Sequence, residues 1–398
     1  MKRARRFFFQ TGEAIIDFEF TEEQNILRES VRKMMDKVAT PAYIARHDRA
    51  QSFPHELYEA WVDMGLFRMP FPDTVGGLGG NPIDMMIIAE EISRKSYDFY
   101  ASYSAGVFSA HAILQKGTEA QKQQWLPMFF KGEIKLSTSM SEPDAGSDVG
   151  AMRTHAVRDG DCWIINGQKL WATQAGVARN VICLYVKTDT QTHYRNGMSM
   201  FMVPNDTPGI ECRKLDLLGR GCVGTYEVFL NDVRVSHEQL VGGENKGWDC
   251  LLAGIQYERL TTAAGYYGCS QTVIDTALAY AKERKQFGRP IGANQVIAHM
   301  FADLQTEVDA ARLLTWRAAW MLSKGQNALR EISMAKLMGS ETYVKTASAA
   351  MQILGGYGYN KEFDMQRLFR DSRSVTIGAG TSQMQRNLIA GLMGLKVQ

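Results

Sequence analysis

Three short segments of this 398-residue chain combine residue types that could bind a flat, polar ligand. In Ser141-Glu-Pro-Asp-Ala-Gly-Ser-Asp148, Ser141, Gly146 and Ser147 offer hydroxyls and closely approachable backbone N–H groups, which suit a polar ring edge or a phosphate. A plain polar turn uses the same residues. In Lys169-Leu-Trp-Ala-Thr173, Trp171 supplies a flat face and Thr173 a hydroxyl two residues on, hence on the same side of a strand. That pair can stack on and hydrogen-bond a heterocycle, although a Trp in a sheet is more often core. Gln352-Ile-Leu-Gly-Gly-Tyr-Gly-Tyr359 ends a helix that begins near Met334 and carries Gly355, Gly356 and Gly358. Such a turn is a helix C-cap or a place where backbone approaches a ligand closely, and with no strand before it, it is not a dinucleotide fingerprint.

A fourth candidate is a single carboxylate. Glu258 follows Leu251 by seven residues and Ile255 by three, so on a helix it falls on the apolar stripe and faces inward. An inward acid is either neutralised by a basic neighbour or kept for proton transfer.

The elements that must carry these residues fall into three regions. From Thr21 to about Phe130 the pattern is helical, opening with Thr21 as N-cap and Gln24 as its capping-box partner, and broken by the glycine-rich loop Pro70 to Pro82. Between about Thr138 and Gly243 the period becomes two, in the runs Cys162 to Ile165, Val181 to Val186, Met198 to Val203 and Tyr226 to Val235. Asp159-Gly160 and Asn166-Gly167 read as hairpin turns there. After Lys246 helical periodicity returns, with stops at Phe287 to Gly292, Gly325 and Gly355 to Tyr359.

Composition narrows the function classes. Forty-five basic against 43 acidic residues leave a net charge of +2, which argues against nucleic acid or an anionic membrane as partner. Six scattered cysteines with no Cys-x-x-Cys pair, and isolated histidines, disfavour a metal site or a disulfide framework and fit a reducing compartment. No apolar run approaches the roughly 20 residues that span a bilayer. The 21 methionines read as core filler. The Arg-rich start, MKRARRFFFQTG, is expected to be a disordered extension over residues 1–16, with an organelle-targeting stub as the other possibility.

Taken together, the Ser-Glu-Pro-x-x-Gly-Ser-Asp and Gln-x-x-Gly-Gly-x-Gly-Tyr segments, with Glu283-Arg-Lys-Gln-Phe-Gly288 between them, resemble the acyl-CoA dehydrogenase family from Phe18 to Lys396. The resemblance implies an α+β fold: an N-terminal helical domain (17–137), a central β domain (138–245) and a C-terminal four-helix domain (246–398). It implies a homotetramer with FAD at a subunit interface. Thr138, Met140, Ser141, Ser147, Trp171 and Thr173 would then cradle the flavin ring. Arg284, Phe287 and Gln295, and Gln352, Gly355 and Gly356 from a neighbouring subunit, would hold the pyrophosphate and adenosine, with Thr381 and Gln383 touching the nucleotide. Ser147, Tyr257, Arg259 and Gly380 would line the CoA thioester site, and no metal is expected.

The position of the base is where this chain departs from many relatives. Their C-terminal Glu-Gly-Thr-Ser reads Ala379-Gly-Thr-Ser382 here, and alanine cannot take a proton. Isovaleryl-CoA and long-chain dehydrogenases instead place the Glu in a segment like Tyr257-Glu-Arg-Leu260, which assigns the base to Glu258. The backbone N–H of Ala379 could still bind the thioester oxygen. The expected reaction is loss of the α-proton to Glu258 and of the β-hydrogen to the flavin, giving a trans-2-enoyl-CoA. Electrons would pass to an electron-transfer flavoprotein in a bacterial cytoplasm or a mitochondrial matrix. An enoyl-CoA reductase running in reverse and an acyl-CoA oxidase are the alternatives. Phe99, Tyr100, Tyr103 and Phe108 either close a short acyl cavity or pack as core.

Overall fold

The computed structural model describes residues 19–396, so the expected extension over residues 1–16 lies outside the described residues. Six helices come first: α1 (Glu22–Val38), α2 (Pro41–Ala50), α3 (His55–Asp63), α4 (Pro82–Ser93), α5 (Tyr97–Lys116) and α6 (Glu119–Phe130). The start of α1 follows from its cap: the Thr21 hydroxyl accepts from Gln24 N at 3.2 Å while the Gln24 amide oxygen accepts from Thr21 N. α4 and α5 are buried over most of their surface, which is why neither reads as a clean amphipathic stripe.

Eight strands follow: β1 (Lys135–Ser139), β2 (His155–Asp159), β3 (Cys162–Thr173), β4 (Asn180–Lys187), β5 (Met198–Pro204), β6 (Ile210–Lys214), β7 (Thr225–Ser236) and β8 (Leu240–Val241). They form one sheet in the order β6-β7-β3-β2-β4-β5-β8, with β1 parallel to β4. Alternation assigns each face. In β4, Val181, Cys183 and Tyr185 join the core shared with the helices, while Ile182, Leu184 and Val186 face the sheet's own core with Trp163 and Phe201. In β5, Met198, Met200 and Met202 likewise turn to the helices. Because both faces of these strands are buried, the sheet is fixed against α5 and α7 instead of hanging from a linker.

The β2–β3 hairpin turns at Gly160-Asp161, one residue later than expected, because Asp159 still pairs with Cys162 as the last residue of β2. Asn166-Gly167 does not turn the chain. It lies inside β3, where the register against β7 slips between Ile165 and Gly167. Gly167 has φ +146°, a Cβ there would meet Thr154 Cα at 2.7 Å, and Asn166 exchanges two hydrogen bonds with Asp232 across the bulge. An Asn-Gly pair satisfies a bulge as well as a turn. A second slip, between Lys169 and Ala172, puts Trp171 at φ +67°.

The C-terminal region holds α7 (Gly247–Glu283), a small hairpin of β9 (Lys285–Gln286) and β10 (Arg289–Pro290), α8 (Gln295–Ser323), α9 (Leu329–Leu354), α10 (Gly356–Tyr359), α11 (Met365–Ser372) and α12 (Ser382–Leu392). α9 begins at Leu329, earlier than the expected Met334, because buried Glu331 pairs with Arg317 and Arg330 and so extends the first turn. The glycine segment after α9 coils into the single turn α10. Among the described residues no helix is long and apolar enough to cross a membrane. All six cysteines are free, and no group of three or more His, Cys, Asp or Glu among the described residues could hold a metal ion.

Candidate functional site

The two polar segments of the β domain are brought together by a buried ion pair. Lys169, fully buried on β3, donates to Glu142 Oε1 at 2.8 Å and to the carbonyl of Met140 at 3.0 Å. Glu142 also accepts from the N–H groups of Arg153 at 2.6 Å and Thr154 at 3.0 Å, and Leu170 N donates to Ser141 O at 2.8 Å. The loop carrying Met140, Ser141 and Ser147 is therefore stapled beside the end of β3, where Trp171 and Thr173 stand. Burial pulls the Lys169 ammonium down to about 8, with Glu142 opposing the shift. Burial works against the Glu142 carboxylate, yet Lys169 and the backbone donors hold it below its ordinary value.

Trp171 is 55% exposed, so it is not core, and Thr173 is half-buried. Below them, buried Gln174 accepts from Ser102 Oγ at 2.6 Å and donates to Leu136 O at 2.7 Å, which ties the end of β3 to α5 and β1. Thr138 on β1 bonds Ser109 of α5 at 2.9 Å. Gly146 and Ser147 lie exposed at the loop tip.

Glu258 lies on α7, half-buried, and no donor among the described residues bonds its carboxylate. Burial raises its pKa, while the charges of Arg259 and Lys336 pull the other way. Lys336, buried on α9, donates to Gly380 O at 2.8 Å and Val375 O at 3.2 Å, gripping both ends of the turn that carries Ala379. Ala379 and Gly380 take φ +55° and +84° in succession. A Cβ at Gly380 would lie 2.8 Å from Gln385 Nε2 and 3.5 Å from Arg259 Nη2, so Arg259, Gly380 and Gln385 converge. Arg259 Nε and Gln385 Oε1 are buried there without partners among the described residues. Thr381 caps α12 by accepting from Met384 N at 3.1 Å, and Gln383 is exposed on its first turn. Tyr257 stacks on His111, with centroids 4.9 Å apart.

A third cluster lies at the far end of α7. Arg284 stands over the Tyr357 ring at 5.7 Å, next to the exposed Gln352, Gly355 and Gly356. Phe287, at φ +51°, is fully exposed, and Gln295 is exposed at the start of α8. From Glu258 to Arg284 a straight helix runs about 39 Å at 1.5 Å per residue. One chain thus separates the proposed nucleotide residues Arg284, Phe287, Gln295, Gln352, Gly355 and Gly356 from Glu258.

Sequence reasoning missed Lys169, Lys336 and Gln174. Lys336 shares the buried face of α9 with Ile332, Gly339 and Tyr343, and a lysine within such a stripe was a legible signal. Gln174 stands at φ +55° just past the strand, and no spacing rule points to it.

Three family descriptions match: acyl-CoA dehydrogenase, N-terminal domain (residues 21–133), middle domain (137–233) and C-terminal domain (245–393). The chain is 38% identical to the probable acyl-CoA dehydrogenase YngJ of Bacillus subtilis, over 94% of this chain and 99% of that one. It is 36% identical to the caffeyl-CoA reductase-Etf complex subunit CarC of Acetobacterium woodii, over the same shares. A solved glutaryl-coenzyme A dehydrogenase glutaryl-CoA complex superimposes with a TM-score of 0.91 at 34% identity, covering 96% of this chain and 98% of that one.

Proposed function

The chain belongs to the acyl-CoA dehydrogenase family of FAD-dependent oxidoreductases acting on CH–CH bonds, and from that premise we propose that it dehydrogenates an acyl-CoA thioester with Glu258 as the base. The observation that carries the assignment is Glu258 itself: an unbonded carboxylate, raised by burial, in the neighbourhood of Arg259 and of Lys336, which holds the Ala379–Gly380 turn.

The residues present fit a flavin. An exposed indole face at Trp171, hydroxyls at Ser141, Ser147 and Thr173, and the open glycine turn at Gly355–Gly356 form a donor set suited to a flat ring and a pyrophosphate. When bound, FAD supplies the acceptor for the β-hydrogen and its electron pair. The protein's own part is proton chemistry and positioning. Glu258, with its pKa lifted toward the working range, takes the α-proton. The Ala379 N–H binds the thioester oxygen and stabilises enolate-like charge as that proton leaves. Lys336 keeps the turn in place, and Arg259 supplies positive charge beside the base.

The long separation along α7 supports a flavin site completed by a second copy, within a homotetramer. A catabolic dehydrogenase passing electrons to an electron-transfer flavoprotein, in a reducing cytoplasm, is the reading we favour. The likeness to CarC keeps an enoyl-CoA reductase as the second reading.

Glu258→Gln tests the assignment. The variant is expected to retain FAD and lose at least about 10²-fold in turnover. A variant with near-normal turnover refutes Glu258 as base. A panel of acyl-CoAs, read by bleaching of the flavin band, identifies the acyl group.

A further inference from the structure

The loop between β6 and β7 leaves the sheet and is fastened to the helices by two buried acids. Asp98 Oδ2 accepts from Cys222 N at 2.8 Å and Val223 N at 3.2 Å, and Asp371 Oδ1 accepts from Arg220 N at 2.8 Å. These bonds fix Arg220 in a left-handed conformation, φ +62°, which a non-glycine residue adopts only when its surroundings enforce it.

So held, the Arg220 guanidinium points at the candidate flavin edge. Nη2 donates to Thr173 Oγ1 at 3.3 Å, and the group lies 5.6 Å over the Tyr97 ring. Its Nε is 3.9 Å from Asp98 Oδ1, too far for a hydrogen bond, and both atoms are buried without partners among the described residues. Asp98 thus stands behind the cation while the fork reaches forward. Arginine has no acceptor, so in this contact the Thr173 oxygen must accept, and its hydroxyl proton is left to donate to something else.

Resting on the FAD-dependent reading above, we infer that Arg220 is a positioning residue of the flavin site. It fixes Thr173 as a hydrogen-bond donor to the ring edge and sets a positive charge beside that ring, which favours the reduced flavin. The sign is electrostatic: reduction adds negative charge to the isoalloxazine, and a nearby cation stabilises it in a medium less polarisable than water.

The test is the midpoint potential of bound FAD in the purified holoenzyme, with the visible spectrum as second readout. Arg220→Gln is expected to keep FAD and to shift the two-electron reduction equilibrium toward the oxidised form by about tenfold, roughly 30 mV lower. Arg220→Lys keeps a charge but not the planar fork and is expected to fall between. A purely structural arginine would change stability and leave the potential alone. Arg220→Gln with the wild-type potential and spectrum overturns the inference. If that variant yields no holoenzyme, Arg220→Lys with wild-type values does so instead. Failure of the wild-type protein to bind FAD would sink the functional reading itself, a separate outcome.

Discussion

Lys336 donates to the carbonyl of Gly380 at 2.8 Å, and its charge also acts on Glu258. One buried ammonium thereby couples the proposed base to the turn whose backbone is proposed to bind the thioester. Burial pulls Lys336 down to about 8, with Glu258 acting against the shift, so the cation is held in a site that resists it.

Removing that cation has a signed consequence. Glu258 acts as a base only when ionised, so kcat/KM climbs with pH through its pKa. Burial raises that pKa, and Arg259 and Lys336 restrain it. Lys336→Met removes one restraint, and the acid limb of the kcat/KM profile is expected to move up by roughly one pH unit, about tenfold in the ionised fraction below the pKa. A profile with an unmoved acid limb would exclude Lys336 from tuning the base.

The ion pair under the proposed flavin loop leads to a stability prediction. Breaking a buried pair from one side costs about 3–5 kcal/mol, whereas replacing both partners costs less. Glu142→Gln is expected to lower Tm and loosen FAD, and Glu142→Gln combined with Lys169→Met to recover part of the loss. Because the folded Glu142 pKa is lowered, its contribution is present above the ordinary carboxylate value and fades as pH falls through the folded one. The single variant should therefore lose that acid dependence, which thermal melts across pH would record. Equal stability of single and double variants would contradict the pairing argument.

Much of this was legible from the chain alone, for physical reasons that differ by element. Thr21 and Gln24 announce α1 because a capping box is a local interaction. β4 announces its strand as a short apolar run rich in β-branched and aromatic residues, unbroken because both of its faces are buried. Asn166-Gly167 misled because turns and bulges demand the same backbone freedom, and only the partner strand decides between them. Trp171 and Thr173 were found as a pair, but their exposure comes from a register slip opposite β7, which depends on residues about fifty positions away. Arg220 drew no attention for the same reason: its contacts to Thr173, Asp98 and Asp371 are all distant in sequence.

Of the four rings that could close an acyl pocket, one stands beside the proposed base. Phe99, Tyr100 and Tyr103 are fully buried, with Tyr100 Oη donating to Thr261 Oγ1 at 2.8 Å and Tyr103 Oη to Leu66 O at 3.1 Å, so these three are packing. Phe108 alone of the four stays half-exposed. It lies against Gly254, where a Cβ would meet its ring at 2.8 Å, and Gly254 is one helical turn before Glu258 on the same face of α7. A ring at that place limits the room beside the proposed base. Phe108→Ala is expected to shift kcat/KM toward longer or bulkier acyl-CoAs by at least about tenfold relative to short ones, the scale of pocket discrimination by a few methylene groups. Gly254→Ala, which must push the ring aside, should shift the ratio without removing FAD. Steady-state ratios over an acyl-CoA series would decide it, and an unchanged preference in Phe108→Ala would place the ring outside the cavity.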